Sequence, residues 1–141
     1  NLKESISFYE KLFSSKASKI KGDYANFRLD KPGLHLALVS RPEKQKKEGF
    51  GHKNDRHYGV ELFSKEFLTK WKKSAEKLGL TTRSQTGVVC CYAKSNKFWV
   101  RDPDGNEWEF WLRLDEADKL IETEAIQNNE KVCCVPQATY C

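Results

Sequence analysis

The first apolar positions recur with helical spacing. Leu2, Ile6, Tyr9 and the Leu12/Phe13 pair share one face of a helix predicted over residues 2–13. Asn1 stands at the capping position, and Glu4 three residues on gives a capping-box-like start. The period then switches to two. Residues 24–29 and 34–39 read as strands joined by the turn Asp30-Lys31-Pro32-Gly33. In the second strand Leu34, Leu36 and Leu38 face one way, and His35, Ala37 and Val39 the other.

The same grammar then returns. Residues 57–63 read as a strand. Residues 66–78 read as a helix with Phe67, Leu68, Trp71, Ala75 and Leu78 turned inward and Gly79 as its stop. Strands are predicted at 88–93 and 97–101, followed by the strong turn Asp102-Pro103-Asp104-Gly105. The closing strand, 107–114, puts Trp108, Phe110 and Leu112 on one face and Glu107, Glu109 and Trp111 on the other. Residues 116–126 read as a short acidic helix ahead of a loose tail. The result is an α+β chain with a near-repeat whose first half lacks an opening strand. By comparison with the second half, about ten residues ahead of Asn1 would hold that strand, so the chain is expected to be truncated at its start.

Composition narrows the class. The chain has 141 residues, enough for one ordinary domain. Hydrophobic residues make up 38%, including eight Phe, five Tyr and four Trp, which is enough to fill a core and argues against disorder. No run approaches the ~18 apolar residues of a membrane span, and no hydrophobic signal segment is present. A membrane channel, a multidomain machine and a collagen-like fibre are excluded. The net charge of +5 is a weak pointer to nucleic acid. Its excess is local: residues 41–57 carry six Lys or Arg against three acids, scattered among Pro, Gln and Gly. A single Phe, Phe50, stands there and no aromatics alternate with the basic residues, so the stretch reads as a solvated linker, and nucleic acid is not the expected partner. Residues 115–130 are the opposite, with six acids and one Lys.

The five cysteines are Cys90, Cys91, Cys133, Cys134 and Cys141. Four of them stand in adjacent pairs, which make poor staples because a bridge between neighbours closes almost no loop. With no secretory signal the expected location is cytoplasmic, where thiols stay free to bind soft metals or metalloids. Cys90 and Cys91 read equally as small strand residues. Two polar residues stand out in apolar strands: His57 at the start of the second half and Glu109 in its last strand. Sheet topology can bring a first and a last strand together. A His and a carboxylate on one concave face are two-thirds of a facial triad for Fe(II) or a similar ion. A lone strand His is otherwise a satisfied core residue.

The stretch Asn96-Lys97-Phe98-Trp99-Val100-Arg101-Asp102-Pro103-Asp104-Gly105-Asn106-Glu107-Trp108-Glu109 resembles the closing hairpin of the glyoxalase/bleomycin-resistance/extradiol-dioxygenase superfamily, the vicinal oxygen chelate proteins. Leu2-Lys3-Glu4-Ser5-Ile6-Ser7-Phe8-Tyr9 resembles that group's first helix. Within it, one branch is matched closely: Gly22-Asp23-Tyr24-Ala25-Asn26-Phe27 against "GYANF", with Asp23 inserted, and His57-Tyr58-Gly59-Val60-Glu61 against "HLGVEV". Cys90-Cys91-Tyr92-Ala93 matches "TCCYA" with Val89 in place of Thr, and Lys97-Phe98-Trp99-Val100 matches "KVWV". That branch holds the organoarsenical carbon–arsenic lyases and the cadmium-induced proteins, whose members often end in a cysteine pair such as Cys133-Cys134.

The resemblance implies the vicinal oxygen chelate fold, paired βαβββ modules, over residues 1–115. Module one spans 1–41, the linker 42–54 and module two 55–115, with 116–141 an acidic, cysteine-containing tail. It implies an enzyme in which Cys90 and Cys91 capture a trivalent methyl or aromatic arsenical. A divalent metal, Fe(II) by resemblance, is held by His57, Glu109 and a ligand from the missing first strand, with dioxygen as co-substrate and arsenite as product. Lys97 is the implied catalytic residue, lowering a thiolate pKa; an exposed strand-edge Lys is the plain alternative. His35 is a conceivable stand-in for the missing ligand, and Cys133, Cys134 and Cys141 a conceivable metalloid relay. The other readings are a cadmium- or arsenic-binding protein without catalysis, and a glyoxalase or fosfomycin thiol transferase. The expected partners are a small arsenical and soft metal ions, with the chain a monomer or homodimer.

Overall fold

The computed structural model describes residues 1–40, 57–90 and 92–118. Helix α1 (Leu2–Phe13) forms as the spacing predicts. Asn1 Oδ1 accepts from the backbone of Lys3, and its amide donates to Glu4 at 3.0 Å. One three-stranded antiparallel sheet follows, β1 (Lys19–Lys21), β2 (Tyr24–Asp30) and β3 (Gly33–Val39), in that order. The sequence pattern misses β1 because all three of its residues are exposed and show no alternation.

The second unit runs β4 (His57–Glu61), α2 (Lys65–Lys77), β5 (Arg83–Cys90), β6 (Ala93–Arg101) and β7 (Glu107–Glu116). Its sheet order is β4-β7-β6-β5, with β4 parallel to β7 and the other pairs antiparallel. First and last strands are therefore neighbours. Strand β5 begins five residues before its predicted start. An irregularity between Gln85 and Val88, at the positive-φ Gly87, hides its alternation, and Asn96 Oδ1 accepts the Gly87 N–H at 2.8 Å. Glu116 closes β7 instead of opening an acidic helix. Ala117 and Asp118 are not helical either, and positions 119–126 of that expected helix, the linker at 42–54, and Cys91, Cys133, Cys134 and Cys141 lie outside the described residues.

Both helices bury an apolar face in one shared core with Phe27, Leu62, Phe98, Val100, Trp108 and Phe110. Ser64 caps α2 by accepting from the Phe67 N–H. Leu68, Trp71 and Ala75 of α2 turn inward as expected. Phe67 and Leu78 do not; they are 36% and 43% exposed because they lie at the margins of the buried stripe. Each fully buried Phe contributes about 2–3 kcal/mol by burial. Trp71 donates its indole N–H to the Leu12 carbonyl at 2.6 Å, tying α2 to α1. Tyr9 and Phe13 of α1 touch Phe27 of the first sheet and Trp108 of the second, so α1 joins the two sheets. Among the described residues no helix is long and apolar enough to cross a membrane.

The Asp102-Pro103-Asp104-Gly105 turn is held by a buried carboxylate. Asp102 Oδ1 accepts the N–H groups of Asp104 and Asn106, and Oδ2 accepts the Asn106 side-chain amide. Tyr9 donates to the same Oδ2 at 2.6 Å, and Trp108 donates its indole N–H to Tyr9. The turn is thus fastened to α1, which sets where β7 begins.

Candidate functional site

The site is built on the sheet face turned away from the core. Along β6, Phe98 and Val100 join the core, which leaves Lys97, Trp99 and Arg101 on the other face. Along β7 the same alternation leaves Glu107, Glu109 and Trp111, and along β4 His57, Gly59 and Glu61. Strand register turns these positions into rows. One row is Arg101, Glu107 and His57; the next is Arg83, Trp99, Glu109 and Gly59; the third is Gln85, Lys97, Trp111 and Glu61.

The chemistry runs diagonally between rows. Arg101 pairs with Glu107 at 2.9 Å. His57 Nε2 lies 3.5 Å from Glu109 Oε1. Lys97 reaches across from the third row and donates to Glu109 Oε2 at 3.0 Å. The Lys97 side chain is 5% exposed and that of Glu109 13%, so this is a buried ion pair in which each charge offsets the burial cost of the other. On its way the Lys97 ammonium passes 5.5 Å from the Trp99 ring centre, and the His57 ring meets Trp99 edge-on at 5.3 Å.

The expected pairing of His57 with Glu109 is therefore present, and the pair suits a divalent ion. Neighbouring donors bonded to one ion at about 2.1 Å lie about 3–3.5 Å apart, as these two atoms do. Gly59 makes room for the carboxylate. A Cβ at this position would stand 3.1 Å from Glu109 Oε1 and 3.5 Å from its Cγ. Gly59→Ala is expected to push the carboxylate off its line to His57 and weaken binding of Co(II), a spectroscopic stand-in for Fe(II), about tenfold. Thermal unfolding of the metal-free variant should stay close to wild type; unchanged Co(II) affinity would show that the carboxylate does not need this space.

Two sequence expectations meet a different arrangement. His35 sits exposed on β3 of the three-stranded sheet, opposite Arg28 of β2, beside a shallow cavity of about 410 Å³ lined also by Leu29, Gly33 and Leu34. It does not join His57 and Glu109, and among the described residues no three His, Cys, Asp or Glu side chains converge. Cys90 is buried at the end of β5, paired with Ala93 and on the same face as Lys97 and Trp99. Ala93 is six residues from Trp99, the neighbour of Glu109, a span of ~20 Å along an extended strand. The Lys97 ammonium reaches Glu109, on the side away from Cys90. Cys90 is disulfide-bonded, so free thiols at this hairpin belong to the reduced protein.

Trp99, Gln85 and Gly59 escaped the sequence reading as site residues. Trp99 was within reach, since it shares strand parity with Lys97. Gln85 and Gly59 are placed by register alone, which a single sequence does not disclose.

Known proteins share both the pattern and the fold. The chain is 40% identical over 135 residues to the "Probable trivalent organoarsenical cleaving enzyme" of Bacillus subtilis (strain 168), covering 96% of this chain and 84% of that protein. It is 33% identical over 118 residues to the "Cadmium-induced protein CadI" of Mycobacterium tuberculosis (strain ATCC 25618 / H37Rv), covering 84% and 73%. A glyoxalase/bleomycin resistance protein/dioxygenase from Alicyclobacillus acidocaldarius has the same fold, with a TM-score of 0.61 at 20% identity, covering 82% of this chain and 85% of that one. Residues 1–110 match the family model, a span that takes in α1, the first sheet and the His57–Glu109 pair together. The chain belongs to the Glyoxalase/Bleomycin resistance protein/Dioxygenase superfamily.

Proposed function

We propose that this protein cleaves the carbon–arsenic bond of trivalent organoarsenicals, methylated or aromatic, and releases arsenite in a reaction that uses Fe(II) and dioxygen. The observation that carries this reading is the grouping of His57, Glu109 and Lys97 on one sheet face whose far hairpin bears Cys90. The name of the B. subtilis relative supports the substrate class.

Capture is thiol chemistry. Once the disulfide at Cys90 is reduced, Cys90 and Cys91 displace two hydroxyls from R–As(OH)₂, forming two As–S bonds and releasing two waters. As(III) is soft and matches thiolate ligands. At the other end of the face, His57 and Glu109 hold the metal. Lys97 engages Glu109 Oε2 and leaves Oε1 turned toward His57. Fe(II) bound there supplies the redox chemistry with dioxygen that oxidative loss of the organic group requires. Trp99 and the Lys97 stem, at 3% and 6% exposure, cover the Glu109 side of the pair, while the His57 side chain stays 33% exposed to solvent.

The test is arsenic speciation with reduced protein, Fe(II), air and trivalent methylarsenic. Arsenite release that needs Fe(II), a thiol reductant and Cys90 supports the reading. Cys90→Ser removes one arm of the chelate and should lower capture about 10–100-fold. Arsenical bound tightly without turnover favours the second reading, a soft-metal and metalloid binder, in keeping with the name of the mycobacterial relative. Neither binding nor turnover overturns both.

A further inference from the structure

The middle of the site face is occupied by a residue whose chemistry the reaction does not call for. Trp99 is 3% exposed, yet it lies on the face turned away from the core. Its indole N–H donates to Gln85 Oε1 at 2.8 Å, itself a buried group at 8% exposure. Gln85 lies opposite Lys97 in register, so this bond is a diagonal. The Lys97–Glu109 bond is a second diagonal, because Lys97 lies opposite Trp111. Both diagonals lean toward the row that holds Trp99. The Lys97 stem crosses this ring to reach Glu109, the guanidinium of Arg83 stands 5.2 Å from its centre, and the His57 ring abuts it.

We propose that Trp99, oriented by Gln85, is the positioning residue of the metal site: its indole sets the plane of the His57 ring and carries Lys97 toward Glu109. The inference rests on the assignment of His57 and Glu109 as metal ligands. A buried indole N–H needs a partner, and the Gln85 oxygen lets the ring settle in one orientation. A fixed ring edge then limits rotation of the imidazole, and the ring face gives the Lys97 ammonium a favourable surface along its path. Groups behind metal ligands commonly tune affinity in this way.

The experiment is a Co(II) titration of the reduced full chain, followed by visible absorption, for wild type and for His57→Ala, Trp99→Phe, Gln85→Leu and Trp99→Phe/Gln85→Leu. Thermal unfolding without metal is measured alongside. Trp99→Phe keeps a ring but loses the N–H; Gln85→Leu keeps the ring and loses its acceptor, so the proposal survives the failure of either variant to fold. The expected result is an about tenfold loss of Co(II) affinity in each single variant, with a changed Co(II) spectrum. The double variant should bind no more weakly than Trp99→Phe, because Gln85 acts through Trp99. A loss in His57→Ala with wild-type affinity and spectrum in both single variants overturns the proposal alone. Undiminished binding in His57→Ala overturns the ligand assignment and the proposal with it. Variants that lose only thermal stability show a packing role and also overturn it.

Discussion

Replacing Glu109 with glutamine is expected to lower Co(II) affinity by at least about 100-fold and to remove arsenite release with it. The substitution keeps the shape of the side chain and changes only its charge. It converts an anionic donor 3.5 Å from His57 Nε2 into a neutral amide. It also leaves the Lys97 ammonium without the carboxylate that it meets at 3.0 Å. The Lys97 charge, no longer offset by that carboxylate, then opposes the entry of a divalent cation, on top of the loss of the anionic donor itself. Circular dichroism of the metal-free variant should match wild type, which separates loss of the ligand from loss of the fold. A Co(II) titration indistinguishable from wild type would remove Glu109 from the site and leave its pair with Lys97 as a structural contact.

Much of this site was legible before the structure, for a physical reason. His57 and Glu109 are polar residues with apolar strand neighbours, and a βαβββ unit sets its first and last strands side by side. What the sequence could not disclose depends on register. The diagonals from Lys97 to Glu109 and from Gln85 to Trp99 require knowing which residues stand opposite which. The wide spacing of Cys90 from Glu109 along the sheet has the same origin, because sequence motifs carry order but not distance. The expected inward turn of Phe67 and Leu78 failed because hydrophobic spacing gives the direction of a stripe but not its width. Strand β1 is invisible for the opposite reason: with no buried residue, only its pairing with β2 makes it a strand.

The largest stability effect is expected at Asp102, which takes no part in the proposed chemistry. Asp102→Ala should destabilise the fold by about 3–4 kcal/mol, lowering the unfolding temperature by roughly 10 °C. The side chain is 6% exposed and accepts from two backbone N–H groups, an amide and the Tyr9 hydroxyl. Truncation strips the turn of its internal acceptor and α1 of its link to the β6–β7 hairpin. Tyr9 provides an independent check through pH. Burial, then the hydrogen bond to Asp102 and its negative charge, push the Tyr9 hydroxyl far above its ordinary range. The native state therefore keeps this proton where the unfolded chain, with a tyrosine pKa of about 10, releases it. The contribution is whole below pH ~10 and is lost as pH rises further, by about 1.4 kcal/mol per pH unit. Tyr9→Phe has no such proton to lose. The stability difference between wild type and Tyr9→Phe, measured by urea unfolding, should be constant up to pH ~9.5 and then shift against wild type. A difference that stays flat to pH 11 would mean that Tyr9 is not held neutral, and that the turn is fastened to α1 by packing alone.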